Sequence, residues 1–253
     1  MTNKKKNIIE RKEVVVKFVG DSGDGMQLSG TIFSDSAAIA GNDMTTFPDF
    51  PAEIRAPHNT VAGVSGFQVH LGSEKIFTIG DQVDVLVAMN PASLKANLKW
   101  AKKGATLLID ADSFEEKAIE KAGYTTNPLI DNSLESYRVI NAPITTLTKE
   151  SLKDLGLDPK TAERSKNMFA LGMLFYIFNR DLKPAFKYFQ TKFGKKDPKL
   201  VDINKIALQQ GYNYADTIEA IESVISIAPS KMEKGRYRNI TGNTATAWGL
   251  MAA

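Results

Sequence analysis

The 253-residue chain reads as an α/β protein built on a doubly wound, mostly parallel sheet, and three observations carry that reading. The first is an apolar run, Val14–Val19, that passes into the glycine-rich turn Gly20-Asp21-Ser22-Gly23-Asp24-Gly25 and then into a helical stretch from Met26. The second is an alternation of β-rich runs with helical segments as far as Phe178. The third is size: with 43% hydrophobic and 24% charged residues, the chain can bury one sizeable core, with room for a smaller second unit.

Taken in order, strands are expected at Val14–Val19, around Met44–Phe47, and at Val61–Leu71, Val83–Met89, Thr106–Asp110 and Tyr137–Ile140, short runs rich in apolar and β-branched residues. Helices are expected at Met26–Ala40, Ala92–Lys99, Phe114–Ala122, Lys149–Leu155 and Thr161–Phe178. In the last of these Met168, Phe169, Leu171, Met173, Leu174, Phe175 and Phe178 leave almost no polar face, which predicts a buried core or a subunit interface. Beyond Asn179, Asp181–Phe193 and Pro198–Gln210 read as amphipathic helices with charged faces, and Ala228–Arg238 as a polar linker. The final stretch, Gly242–Ala253, begins a helix of small residues and Trp248 with no polar side, expected to pack on something.

In such a sheet ligands bind at the carboxyl ends of the strands. Three features fall there. The loop Gly20–Gly25 offers φ > 0 glycines, close backbone approach and the unpaired N–H groups of a helix start, a suitable seat for a phosphate or carboxylate. It is not the dinucleotide fingerprint, because Leu28 takes the third glycine's place, and it is not a Walker loop, because no Gly-Lys-Ser/Thr follows. A tight strand-to-helix turn that binds nothing is the alternative. Asp21 and Asp24 would repel a phosphate, so they are expected to cap the helix or bond N–H groups within the turn. The second feature, Thr46-Phe47-Pro48-Asp49-Phe50-Pro51-Ala52-Glu53-Ile54-Arg55-Ala56-Pro57, holds prolines that exclude helix interior and central strand and so predict a rigid loop. In it Arg55 either pairs with Glu53 or forks onto an anion. The third is Asn90-Pro91-Ala92-Ser93, where Asn90 or Ser93 can cap the next helix.

Other classes of chemistry find little support. His58 and His70 stand singly, with no zinc-binding spacing, and Ser22 lacks the nucleophile elbow of a hydrolase. A net charge of +3, with clustered lysines only at Lys4–Lys6, gives no sign of nucleic acid. Met168–Phe178 is too short to span a bilayer, and the charged N-terminus has no apolar stretch behind it, so a cytoplasmic location without membrane attachment is the expectation. Cysteine is absent, which denies the chain both disulfides and thiolate ligands for iron–sulfur clusters.

The proline block, together with Gly63-Val64-Ser65-Gly66-Phe67-Gln68-Val69-His70, Asp84–Pro91 with Leu94–Leu98, Ser165–Gly172 and Ile240-Thr241-Gly242-Asn243, resembles the γ domain of the 2-oxoacid:ferredoxin oxidoreductases. More closely, it resembles the 2-oxoglutarate-type α subunit, in which γ is fused ahead of the thiamine pyrophosphate pyrimidine-binding domain. The resemblance implies a γ-type domain over 1–178, a helical extension and linker over 179–238, and the start of the pyrimidine-binding domain over 239–253. It implies a complex that converts 2-oxoglutarate, coenzyme A and oxidised ferredoxin to succinyl-CoA, CO2 and reduced ferredoxin, with pyruvate or another 2-oxoacid as alternative substrate. In that picture this chain handles coenzyme A and assembly and is inactive alone. Coenzyme A would meet Gly20, Asp21, Ser22, Gly23, Asp24, Gly25, Met26, Arg55 and Asn90. Thiamine pyrophosphate, Mg2+ and the iron–sulfur cluster would be held mainly by other domains or subunits, the diphosphate by a β subunit. The implied partners are that β subunit, ferredoxin and the rest of the pyrimidine-binding domain, in a hetero-oligomer. One departure is Thr244, where the family commonly has an acidic residue after Gly-Asn. A non-catalytic interaction module is the competing reading, and an independent dinucleotide enzyme is disfavoured by Leu28. The apolar Met168–Phe178 and Thr244–Ala253 segments are expected to leave surface for a partner.

Overall fold

The computed structural model describes residues 7–50, 63–233, 235–238 and 240–253. Its centre is a six-stranded sheet in the order β3-β4-β2-β5-β6-β7, where β2 is Glu13–Asp21, β3 Asp43–Asp49, β4 Val64–Gly72, β5 Val83–Ala88, β6 Ala101–Asp110 and β7 Arg138–Ala142. The pairings β2–β5, β5–β6 and β6–β7 are parallel, whereas β4 is antiparallel to both β2 and β3. Because β3 reverses twice relative to β2, it runs the same way as β2. The carboxyl ends of β2, β3, β5, β6 and β7 therefore share one edge, and Val64 at the start of β4 joins them opposite Asp21. Two short strands, β1 (Asn7–Glu10) and β8 (Ser223–Ser226), pair in parallel as a separate ribbon. Neither is signalled by alternation in the sequence, since each runs for only four residues.

Helices cover both faces. On one side α1 (Met26–Ile39), α6 (Lys166–Ile177), α7 (Lys183–Phe193) and α8 (Pro198–Thr217) contribute to a core with Val14, Val16, Phe18, Val85 and Val87. On the other, α2 (Pro91–Asn97) and α3 (Glu116–Lys121) bring Leu94 and Ile119 over Val15, Val19, Leu86, Leu107 and Ile109. Successive β2 residues thus alternate between two cores, the period-two pattern that a doubly covered sheet requires. Phe33 anchors the first core by edge contacts with Phe18, Phe175 and Phe178 at 5.8, 6.3 and 5.3 Å, each worth about 0.5–1.5 kcal/mol beyond area burial.

Several expected boundaries shift. Pro48 and Asp49, read as loop, belong to β3, an edge strand in which a missing N–H is tolerated. Val61 lies outside the described residues. The strand β6 begins at Ala101, five residues before the expected Thr106, and α8 runs on to Thr217. The helix expected over Lys149–Leu155 begins earlier, as α4 (Ile144–Ser151), and ends in a 3-10 turn. The single helix expected over Thr161–Phe178 is two: α5 (Pro159–Glu163) and α6, with a break at Arg164–Ser165. Asp158 caps α5 by accepting from Thr161 N at 3.0 Å, which moves its start upstream.

Residues beyond 179 do not stand apart: Phe189, Val201, Leu208 and Val224 are buried in the same core as the sheet. Between α6 and α8 the backbones touch, so that a Cβ added at Gly172 would lie 2.0 Å from the Leu208 carbonyl oxygen and one at Gly211 would lie 1.9 Å from that of Phe169. The apolar α6 is accordingly covered by its own chain, which corrects the expectation that Met168–Phe178 presents surface to a partner. The last helix, α9 (Gly242–Ala252), is different: Trp248, Leu250 and Met251 are 48%, 76% and 77% exposed. No helix among the described residues is long and apolar enough to cross a membrane.

Candidate functional site at the carboxyl edge of the sheet

The glycine loop leaves the end of β2 as a closed turn. Asp24 N donates to the Asp21 carbonyl at 3.0 Å, and Asp24 Oδ2 accepts from Asp21 N at 2.9 Å. Asp24 is thus spent within the turn, one of the two roles its position suggests. The other role, capping α1, falls to Gly25, which stands in the left-handed region at φ 74° with no side-chain cap. Gly23, at φ 109°, faces open space. Met26 is buried and turns into the core, so it offers a ligand its backbone rather than its side chain. The exposed Ser22 is held by its N–H on the Gly63 carbonyl at 2.9 Å.

Two neighbouring strand ends brace this loop. Asn90, after β5, forms a capping box with Ser93 at the start of α2: its Oδ1 accepts from Ser93 N at 2.8 Å and its N–H donates to Ser93 Oγ at 3.2 Å. The other half of the Asn90 amide donates to Asp21 Oδ1 at 2.9 Å. Gln27, in the first turn of α1, donates to the Gly66 carbonyl at 2.6 Å. The expected anchors Gly20–Met26 and Asn90 are therefore one structure. Arg55 lies outside the described residues, as do Glu53 and His58. His70, read as structural, spans Thr78 O at 2.8 Å and Glu13 Oε2 at 3.3 Å within the buried sheet.

The structure adds residues that loop reasoning passed over. Lys166, at the start of α6, reaches Asp24 Oδ1 at 3.5 Å, with side chains only 13% and 17% exposed. Asn167 donates to the Gly25 carbonyl at 3.2 Å and accepts from Ser29 Oγ on its own carbonyl at 3.3 Å. Lys160, Glu163, Arg164 and Lys166 join Gly23 and Asp24 around a cavity of about 340 Å3. Glu163 is turned away onto Lys149 at 2.8 Å, and that bond holds its carboxyl below the usual range. Lys160 and Arg164 make no ion pair with another described residue, which leaves the cavity with a positive excess. Behind it, fully buried Asp110 ends β6 and accepts from Thr145 Oγ1 at 2.6 Å, Thr145 N at 3.2 Å and Ser113 Oγ at 3.2 Å. Burial pushes its carboxyl up against those bonds. Burial and the neighbouring Asp24 likewise push Asp21 up, with Asn90 and Lys166 pulling it back. The Ser165–Gly172 block was visible in sequence, but nothing in its spacing tied Lys166 or Asn167 to a loop some 140 residues away.

A mostly parallel sheet whose carboxyl edge carries a cationic cavity beside a glycine loop is the ligand-binding edge of an α/β module. The chain belongs to the pyruvate ferredoxin/flavodoxin oxidoreductase family, whose model matches residues 15–214. It is 44% identical over 242 residues to the 2-oxoglutarate oxidoreductase subunit KorA of Mycobacterium tuberculosis, covering 96% of this chain and 37% of that protein. A 2-oxoglutarate:ferredoxin oxidoreductase from Magnetococcus marinus, solved with 2-oxoglutarate, coenzyme A and succinyl-CoA bound, matches 87% of this chain and 34% of that one, at 27% identity and a TM-score of 0.68. The chain thus spans little more than a third of either relative. The γ subunit of a keto/oxoacid ferredoxin oxidoreductase from Geobacter sulfurreducens shares the fold over 99% of its length, with a TM-score of 0.55 and 21% identity.

Proposed function

We propose that this chain is the γ-type portion of a 2-oxoglutarate:ferredoxin oxidoreductase complex and that its carboxyl edge receives the phosphates of coenzyme A. The observation that carries the reading is the cavity in which Lys160, Arg164 and Lys166 converge beside Gly23. Long cations at the mouth and glycine backbone at the wall suit a polyphosphate that must bind and leave at each turnover. Support also comes from the relative solved with coenzyme A and succinyl-CoA bound. Arg55, entering from the proline loop, is proposed as a further contact.

The chain's own residues do not suit an iron–sulfur cluster. With no cysteine it has no thiolate for an iron–sulfur cluster, and among the described residues no group of three or more His, Asp or Glu side chains is placed to hold a metal. Oxoacid decarboxylation on thiamine pyrophosphate and electron transfer to ferredoxin are therefore proposed to take place on a β subunit and on the rest of the pyrimidine-binding domain. The exposed apolar side of α9 is offered to that domain. With this division of labour the chain is proposed to work in a hetero-oligomer, and its location is proposed to be cytoplasmic.

The test is coenzyme A titration of the assembled complex carrying Gly23→Val or the pair Lys160→Met and Arg164→Met. Weaker coenzyme A use with intact oxoacid-dependent intermediate formation is expected. Unchanged affinity in correctly folded variants would reduce the chain to an interaction module.

A further inference from the structure

We infer that Asp24 is a built-in competitor for the ligand of this site, a carboxylate that fills the anion position until an incoming phosphate displaces it. The inference rests on the reading of the cavity as an anion site and concerns how that site is regulated. Asp24 Oδ2 takes the Asp21 N–H at 2.9 Å, and Oδ1 lies 3.5 Å from the Lys166 ammonium. One side chain thereby occupies a backbone donor of the loop and Lys166, a cation that lines the 340 Å3 cavity as Asp24 itself does. Because Lys166 and Asp24 are 13% and 17% exposed, their attraction is screened less than that of a surface pair. A carboxylate brings one charge, however, and a phosphate group brings up to two with more acceptor oxygens. The phosphate wins the exchange, while water or a small carboxylate does not.

Asp24 is free to leave without unfolding the turn. The loop keeps its backbone bond from Asp24 N to the Asp21 carbonyl, the Ser22 to Gly63 bond and the clasp of Asn167 on Gly25. Lys160 and Arg164 line the same cavity and make no ion pair with another described residue, so they are placed to receive the displacing group. The consequence is a site tuned below its attainable affinity, which favours release of a product that still carries the same phosphates.

The test uses the assembled complex and two probes, coenzyme A and inorganic pyrophosphate, titrated calorimetrically against Asp24→Asn, which keeps the acceptor for Asp21 N–H and removes the charge. Asp24→Ser serves as a second variant should the first fold poorly, and melting temperatures certify the fold. Both probes are expected to bind the variant about 5–10-fold more tightly, as loss of one paired charge implies, and the gain should vanish in a Lys166→Met background. If the wild type binds coenzyme A and folded Asp24 variants bind neither probe more tightly, the inference falls and the coenzyme A reading stands. If coenzyme A binds nothing but pyrophosphate still binds the variant more tightly, the inference stands and the coenzyme A reading falls. Failure of both probes on every form overturns both.

Discussion

Asn167 occupies the space that any side chain at Gly25 would need. Its amide donates to the Gly25 carbonyl at 3.2 Å, and a Cβ added at Gly25 would lie 2.3 Å from Nδ2. The start of α6 therefore shapes the start of α1, although 142 residues separate the two positions.

The glycine loop provides a graded test. Gly25→Ala meets both the positive φ of 74° and the Asn167 amide, whereas Gly23→Ala meets a φ of 109° in open space. Backbone strain alone is worth about 1–3 kcal/mol, so Gly25→Ala should lose more stability in urea denaturation than Gly23→Ala. Equal losses would show that Asn167 yields freely.

Asp110 sets a pH dependence whose sign follows from its burial. Its folded-state pKa is raised above the ordinary 3.8, mainly by desolvation. Stability from the protonated form is then full below the unfolded value and is lost as pH rises through the folded one. Asp110→Asn removes that loss. The melting temperature of the variant relative to wild type should climb as pH is raised from about 3.5 and then level off; a constant difference across the range would contradict it.

Arg180 predicts an unequal pair. Its Nη2 donates to Asn42 Oδ1 at 2.6 Å, while among the described residues buried Nε finds no partner. Asn42 also donates to the carbonyls of Ile227 and Ala228 at 3.2 and 2.9 Å. Asn42→Ala leaves a partly buried guanidinium and two carbonyls without their partner and should cost about 2–4 kcal/mol. Arg180→Met removes the partly buried charge and should cost clearly less. Chemical denaturation of both variants gives the order, and the reverse order would show that the guanidinium is well compensated.

Gly211→Ala places a methyl against the Phe169 carbonyl in the contact between α6 and α8. Overpacking of this kind costs about 1–3 kcal/mol. The variant should also weaken coenzyme A binding, because Lys166 rides on α6. A stable variant with lowered affinity and one with neither change are distinguished by measuring melting temperature and titration together.

Much of the fold was legible because its signals are local. The valine run of β2, the glycines after it and the capping pair Asn90 and Ser93 each announce their element. The edge where they meet follows from the alternation of strands and helices. Lys160, Arg164, Lys166 and Asn167 were not legible as site residues, since their role depends on a break between α5 and α6 and on a long-range approach to Gly25. What covers α6 was equally out of reach: an all-apolar helix looks the same whether its cover is α8 or another chain. The ribbon of β1 and β8 escaped notice because two four-residue strands carry too little period to register.

The touching backbones of Gly172 and Gly211 set a mechanical tolerance for the whole site. A helix advances about 1.5 Å per residue, so a slip of α6 by a single position would carry Lys166 out of reach of Asp24 and pull Asn167 from Gly25. With no side chain between α6 and α8 at these two points, there is no compressible layer to absorb such a slip. The segment after Asn179, which in sequence looks like an appendage, acts as the gauge block against which the ligand edge is held in register.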